Sequence, residues 1–333
     1  MNATRALNFL PLLLLLGGCN YLGGSTMDTL VAHSDVTKDI LDIYGRIFWW
    51  TAFLFVGVQG ALIYAVLRFR ARGDEKTLPA QTHGHTQLEL LWTVLPVFIL
   101  MDIAIPTVTF VFKSQAPVGE DGLIVHSVGK QWWFYFEYPK EGIITANEFH
   151  VPLGRDVEVR LQSDNVIHSF FVPQLVGKRD MVPGRVNKVR FKADKVGTFL
   201  AQCAEYCGDS HALMRFRAVV DTPEDFEKWV KAQTTPADTT SDAAVAGFAA
   251  YQQAGCVACH AIDGTTSVAQ IGPNLTHVAS RDTIAAGVLD NNADNLRKWI
   301  ADPQAIKPGS KMTNLHLTKE QLDAVVPYLQ SLK

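Results

Sequence analysis

Cysteine is scarce: five residues among 333, an odd number that a disulfide framework would leave unbalanced. Positive charge has no surplus either, since 30 Lys and Arg stand against 33 Asp and Glu, for a net charge of −3 and a pI near 6.4. A nucleic-acid-binding chain would need a basic face, so that class is excluded. Charged residues make up only 19% of the chain, while 48% are hydrophobic and mean hydropathy is +0.08, high for a water-soluble protein. The length exceeds one ordinary core and calls for two folded domains or more.

What is present begins with membrane signals. Arg5, the apolar stretch Leu10 to Leu16 and the small-residue site Leu16-Gly17-Gly18-Cys19 read as a signal peptide over residues 1–18. That tetrapeptide resembles a bacterial lipobox, which implies lipidation of Cys19; an uncleaved anchor, or cleavage without lipid, is the alternative reading. After an exported segment, 19–46, the run Ile47 to Leu67 is long enough to cross a bilayer, because about 20 residues at ~1.5 Å rise span the hydrocarbon. Leu88 to Phe112 is a second such run. The loop between them, 68–87, carries Arg68, Arg70, Arg72 and Lys76, and the positive-inside rule places it in the cytoplasm with both flanking regions outside. Within the second span Glu89 is close enough to the cytoplasmic end to snorkel, whereas Asp102 lies deeper and needs protein or a water path beside it.

From Leu123 to about Asp221 the apolar period changes to two, as in Val157, Val159, Leu161 and again Phe216, Ala218, Val220. Turn signals such as Pro183-Gly184 separate these runs, which points to an antiparallel β-sandwich or barrel. A helix follows with Thr222 as N-cap, Pro223 at its first position, and Phe226, Trp229 and Val230 on one face. Residues 233–242 have no apolar anchor and read as a flexible linker. The remainder, 243–333, is helical, with helices around Phe248, around Leu296 to Ile300, and from a Thr318/Gln321 capping box onward.

Two constellations carry chemistry. The first, Cys203-Ala204-Glu205-Tyr206-Cys207 followed by His211 and Met214, gathers two thiols, an imidazole and a thioether within a dozen residues. Such soft donors select copper or zinc; zinc usually takes closer cysteine pairs and seldom methionine, while an incidental zinc or a disulfide is the bland alternative. The second, Cys256-Val257-Ala258-Cys259-His260, is the c-type haem attachment signature, in which two thioethers fix the porphyrin and the imidazole ligates iron. Alone it is also readable as a redox C-x-x-C. His126, His150, His277 and His316 read as surface or core histidines, and His83 and His85 as part of the cytoplasmic loop.

The first loop resembles the CuA segment of cytochrome c oxidase subunit 2, with the pattern C-x-E-x-C-x3-H-x2-M. The family's upstream histidine is matched by His168 in Asp164-Asn165-Val166-Ile167-His168. The resemblance implies that Cys203 and Cys207 bridge two copper ions, His168 and Met214 completing one and His211 with the Glu205 carbonyl the other. It further implies that Trp132, in the aromatic stretch Gly129 to Tyr138, receives electrons over the copper site. Glu89, in Leu88-Glu89-Leu90-Leu91-Trp92, would stand at the mouth of a proton path, and the Glu205 carboxylate would bind magnesium at a subunit junction. Asp102 has no counterpart in the family pattern.

In the second constellation, Ile271-Gly272-Pro273-Asn274-Leu275 resembles the loop that packs on the proximal side in small cytochromes c, and Lys311-Met312 the segment supplying the axial thioether. Proline often follows that methionine, whereas Thr313 stands here. Methionine–histidine ligation raises the potential into the range of an electron carrier.

The chain is thus expected to be a multidomain membrane protein. It combines a two-helix transmembrane hairpin, an all-β cupredoxin-like Greek-key domain (113–232) and an all-α cytochrome c domain (243–333). The resemblance is to subunit 2 of a caa3-type oxidase in a bacterial inner membrane, with both soluble domains on the periplasmic face. An external donor, a cytochrome c or a complex III-type reductase, would feed haem c, the binuclear copper and then subunit 1, where oxygen is reduced and protons are pumped. A nitric oxide reductase-type enzyme and a copper-binding lipoprotein with a fused cytochrome domain are the rival readings. Nitrous oxide reductase shares the copper loop, but its propeller domain is absent from this sequence.

Overall fold

The structure is a computed structural model that describes residues 27–70, 73, 81 and 83–333, so Cys19, the leader and Arg72 and Lys76 of the basic loop lie outside the described residues. The described residues divide into two compact units, those within 38–116 on the one hand and 27–37 with 117–333 on the other.

In the first unit, helices α1 (Asp35–Phe69) and α2 (Thr86–Gln115) contain the two apolar runs, and α1 continues well beyond its run at the N-terminal end. Both are long and apolar enough to cross a membrane, and their side chains are almost wholly uncovered, Trp49 and Phe112 being 71% and 75% exposed. A surface of that size and character needs lipid or another apolar chain against it. The start of α2 is capped reciprocally: the His85 side chain accepts from the Leu88 N–H at 3.4 Å, and Glu89 Oε1 accepts from the His85 N–H at 3.1 Å. Asp102 finds its partners across the hairpin. Its carboxylate accepts from the Trp50 indole at 2.9 Å and pairs with Arg46 at 3.3 Å. The acid that the sequence left without a role therefore ties one helix to the other, and no neighbouring subunit is needed to account for it.

The second unit contains a β-sandwich built from β1 (Leu123–Lys130), β2 (Trp133–Tyr138), β3 (Ile143–Ala146), β4 (Glu148–Pro152), β5 (Asp156–Ser163), β6 (His168–Val172), β7 (Val176–Met181), β8 (Asn187–Lys192), β9 (Gly197–Cys203) and β10 (Arg215–Asp221). The sheet orders are β3-β2-β1-β5-β8 and β4-β10-β9-β6-β7. The alternation expected from the sequence is observed, with Val157, Val159, Leu161, Phe216 and Ala218 fully buried. The sheets are not purely antiparallel, however, because β1 pairs β5 and β10 pairs β4 in parallel. Period-two patterning reports which face is buried and carries no information on strand direction. Between the sheets, Phe134, Phe136, Phe149, Phe170 and Phe216 are fully buried, with ring centroids as close as 4.4 Å, a rigid aromatic core directly behind one end of the sandwich.

Helix α3 (Pro223–Gln233) starts at Thr222, whose hydroxyl accepts from the Asp225 N–H, and lays Trp229 on the His150 ring at 4.5 Å. His150 is also held by Asp221 at 2.7 Å and Glu148 at 3.5 Å. Burial lowers its basicity, but the Asp221 and then Glu148 carboxylates outweigh burial, and its pKa is raised.

The segment expected to be a free linker is anchored. Ala237 packs on the core of the next domain, and the Asp238 carboxylate accepts from Thr240 and Ser241 just before α4 (Asp242–Gln253). A single small apolar side chain and an Asx-type turn suffice for this, and neither stands out in so polar a stretch. The C-terminal domain continues with the strand pair β11 (Thr283–Ile284) and β12 (Leu289–Asp290), then α5 (Ala293–Ala301), α6 (Pro303–Ile306) and α7 (Lys319–Ser331). Thr318 and Gln321 form the expected capping box of α7. Tyr251 on α4, Leu296 and Ile300 on α5, and Val325 and Leu329 on α7 share one buried core. The two-residue strands and an isolated bridge between Ala261 and Val268 depart from an all-helical domain; both are too short to show a period.

Candidate metal and haem centres

One end of the sandwich gathers the donors. His168 opens β6, Cys203 closes β9, and the pairing of these strands puts Phe170 opposite Cys203. The loop after Cys203 is closed by the Cys203 N–H donating to the Met214 carbonyl at 2.9 Å, and the Ala204 N–H ties it to Ser169 at 3.1 Å. Within this frame the two Sγ atoms lie 3.8 Å apart. Cys203 Sγ is 3.8 Å from His168 Nδ1 and 3.3 Å from the Glu205 carbonyl oxygen. Cys207 Sγ is 3.5 Å from His211 Nδ1 and 3.9 Å from Met214 Sδ. His168, Cys203, Cys207 and Met214 are all buried.

A buried pair of thiols cannot lose both protons without a cation. The hydrogen bond from Cys207 is the main influence lowering the pKa of Cys203, and Cys207 is raised in turn, so the metal-free pair holds one proton between them. Metal binding would release it. The donor set, two thiolates flanked by two imidazoles, a thioether and a carbonyl, fits two soft metal ions sharing the sulfurs and does not resemble a single tetrahedral zinc.

The orientation of His168 comes from a residue the sequence did not single out. Asn165 Oδ1 lies 2.9 Å from His168 Nε2, and since an amide oxygen only accepts, Nε2 carries the proton and Nδ1 is left free toward sulfur. Asn165→Ala is expected to loosen copper binding by ~10–100-fold, the usual effect of losing such a support. Titration of the reconstituted domain with a competing copper chelator checks this; wild-type retention of copper would assign Asn165 a purely local turn role.

Trp132 lies against the same loop and is 8% exposed. Its indole N–H donates to the Cys207 carbonyl at 2.9 Å, and Gln131 Nε2 donates to the same oxygen at 2.9 Å. Glu205 behaves differently at its two ends. Its carbonyl faces Cys203, while its carboxylate lies 3.9 Å from Lys178.

In the C-terminal domain the His260 Nδ1 donates to the Pro273 carbonyl at 2.8 Å, which leaves Nε2 with a free lone pair. Burial first, and then the charge of Arg281, lowers the His260 pKa and keeps the ring neutral. Gly272 explains the Ile271-Gly272-Pro273 run: a Cβ there would sit 2.5 Å from the imidazole Cε1, so only glycine lets the loop close on the ring. Cys256, Val257, Leu275 and Met312 all pack as half-buried groups around the same core. Both ring nitrogens of His277, Arg281 Nε and Thr283 Oγ1 are buried without hydrogen-bond partners among the described residues. A haem held by Cys256, Cys259, His260 and Met312 fits the donor chemistry: one free imidazole nitrogen, two thiols and a thioether in one small domain.

Three family models match in chain order: the transmembrane domain of cytochrome c oxidase subunit II over 25–110, its periplasmic domain over 141–221, and cytochrome c over 244–333. Cytochrome c oxidase subunit 2 of Alkalihalophilus pseudofirmus is 35% identical over 338 residues, covering 98% of this chain and 97% of that protein. The chain belongs to the cytochrome c oxidase subunit 2 family. The subunit 2 proteins of Bacillus sp. strain PS3 and Bacillus subtilis are 36% and 35% identical, covering 79% and 81% of this chain and 79% and 82% of theirs. This subunit 2 carries a fused cytochrome c domain, as in the caa3 type, and is an electron-transfer subunit of a membrane-bound terminal oxidase. Its complex contains the haem–copper subunit 1, and neither rival reading is favoured by these relationships.

Proposed function

We propose that this subunit passes single electrons from a covalent haem c to a binuclear copper centre and on to subunit 1. The haem would be held by thioether bonds to Cys256 and Cys259 and by His260 and Met312; the copper pair by His168, Cys203, the Glu205 carbonyl, Cys207, His211 and Met214. The observation that carries this reading is the chain of sulfur, nitrogen and carbonyl contacts, each 3.3 to 3.9 Å, linking all six copper donors at one end of a rigid sandwich. When bound by these donors, a copper pair would supply a one-electron carrier whose ligands need rearrange little on reduction.

The protein's own part is positional. The loop ties described above pre-form the donor cage, Asn165 sets the His168 tautomer, and the Phe134–Phe216 core excludes water behind it. Trp132 covers the cage from the outside and is proposed to receive the electron. The soluble domains face the periplasm, the Arg68 to Lys76 loop faces the cytoplasm, and Cys19 is lipidated. Glu89 is proposed to stand at a proton path; its cap on His85 holds the carboxylate at the end of α2. For magnesium the Glu205 carboxylate stands near a lysine, and one carboxylate is a poor start for a hard cation. The external donor is a cytochrome c or a complex III-type reductase.

The test is spectroscopic, on the purified complex. A mixed-valence two-copper electron paramagnetic resonance signal should accompany haem that stays on this chain after denaturation. Zinc in the cysteine site, or a denatured chain free of porphyrin, would overturn the assignment.

A further inference from the structure

One short segment of the haem domain packs on Trp132 and the copper loop. Lys307 follows α6, and although lysine is seldom buried, it is only 3% exposed here. Its ammonium donates to the Trp132 carbonyl at 2.5 Å, and to the Ala285 carbonyl of its own domain at 3.3 Å. The next residue, Pro308, offers its carbonyl to the Ser210 hydroxyl, immediately before His211 in the copper loop. At Gly309 (φ +76°) a Cβ would meet Asp209 Cβ at 3.1 Å and the far edge of the Trp132 ring at 3.2 Å, so this close approach requires glycine. Three consecutive residues thus touch Trp132 or the copper loop, and Met312 follows three residues later in the same loop.

We infer that the loop bearing Met312 is also the docking element of the haem domain, with Lys307 as the residue that positions that domain on Trp132 for electron transfer to copper. Two further contacts join the domains: the Arg215 N–H, directly after Met214, donates to the Ala286 carbonyl at 3.0 Å, and the Asp282 N–H donates to the Glu148 carboxylate at 3.1 Å. Neither involves Trp132. Lys307 alone places a charged donor on the residue whose indole is bonded to Cys207. The acceptors are carbonyl dipoles, not a carboxylate, so the contact is directional and short-ranged, suited to fixing a pose after the linker has brought the domains together. One electron leaves the haem iron and one arrives at the copper pair, with no bond made and no proton moved. At unchanged potentials the rate is then set by the separation and orientation of the two centres, and the docked pose fixes both.

This inference rests on the haem and copper assignment above, and the experiment separates the two. In the intact complex, Lys307→Met removes the charged donor and Gly309→Ala wedges the loop off Trp132, while Lys298→Met removes an exposed charge elsewhere on the haem domain. The readouts are the haem c midpoint potential, the copper resonance signal, and the first-order rate at which pre-reduced haem c passes its electron to copper. Expected are unchanged potential and signal in all three, a rate lowered severalfold in the Lys307 and Gly309 variants, and the wild-type rate in Lys298→Met. A wild-type rate in Gly309→Ala and Lys307→Met, or an equal loss in Lys298→Met, overturns the docking inference while both cofactors remain. Should Lys307→Met fail to assemble, Gly309→Ala decides alone. Absence of either cofactor signal from the wild-type complex would instead sink the assignment on which the inference stands.

Discussion

Cys207→Ser is expected to abolish the copper pair and to leave reduced haem c unable to reoxidise under oxygen, with the haem spectrum unchanged. The size of the effect follows from where Cys207 sits. Its sulfur is within 3.5 to 3.9 Å of Cys203, His211 and Met214, so one substitution removes a donor that contacts three of the others. A serine hydroxyl is too hard and too short a ligand to bridge soft metal ions. The side chains of Gln131 and Trp132 bond to the main-chain carbonyl of residue 207, which serine retains, so the docking face for the haem domain stays in place. Stopped-flow reoxidation of the pre-reduced complex measures the outcome. Reoxidation at the wild-type rate would mean that haem c reaches subunit 1 without passing through this centre.

Met312→Ala is expected to act at the other end of the route. Loss of the thioether removes the ligand that raises the iron potential, and axial ligands span ~0.8 V across haem proteins, so a fall on the order of 100 mV or more is expected. For a one-electron centre ~59 mV is a tenfold change in equilibrium. The sign matters here. A lower potential makes haem c a better donor to copper but a poorer acceptor from the external donor, so turnover should fall at the reduction of haem c, and the vacated position should bind carbon monoxide. An unaltered spectrum and potential would show that another side chain ligates the iron. The Gln304 side chain, which donates to the Ser310 and Met312 carbonyls at 2.7 and 3.1 Å, keeps the loop shape in the variant and separates the ligand effect from unfolding.

Much of the candidate site is legible in the amino-acid sequence, because its chemistry is local. Five of the six proposed copper donors fall between Cys203 and Met214, and the proposed haem cysteines and His260 fall within five residues, so the spacing marks both clusters and the family resemblance assigns them. The helix caps at Thr222 and Thr318 are equally plain, since capping is a relation between residues three apart. Asn165 escapes sequence reasoning although it lies only three residues before His168. Its role depends on which ring nitrogen it meets, and that is a matter of rotamer and strand position. Asp102 is recognisable as an acid that needs partners, but Arg46 and Trp50 are more than fifty residues away and no periodicity links them.

The amino-acid order by itself determined the two apolar helices, the buried face of each strand, and the two compact clusters of candidate donors, because each of these follows from side-chain chemistry at short, fixed intervals. The tertiary structure decided which strands run parallel, where Asp102 finds its charge, and that Lys307 ends beneath Trp132. Those outcomes come from contacts between distant segments, whose free energy depends on how whole surfaces fit, and a surface exists only once the chain has folded.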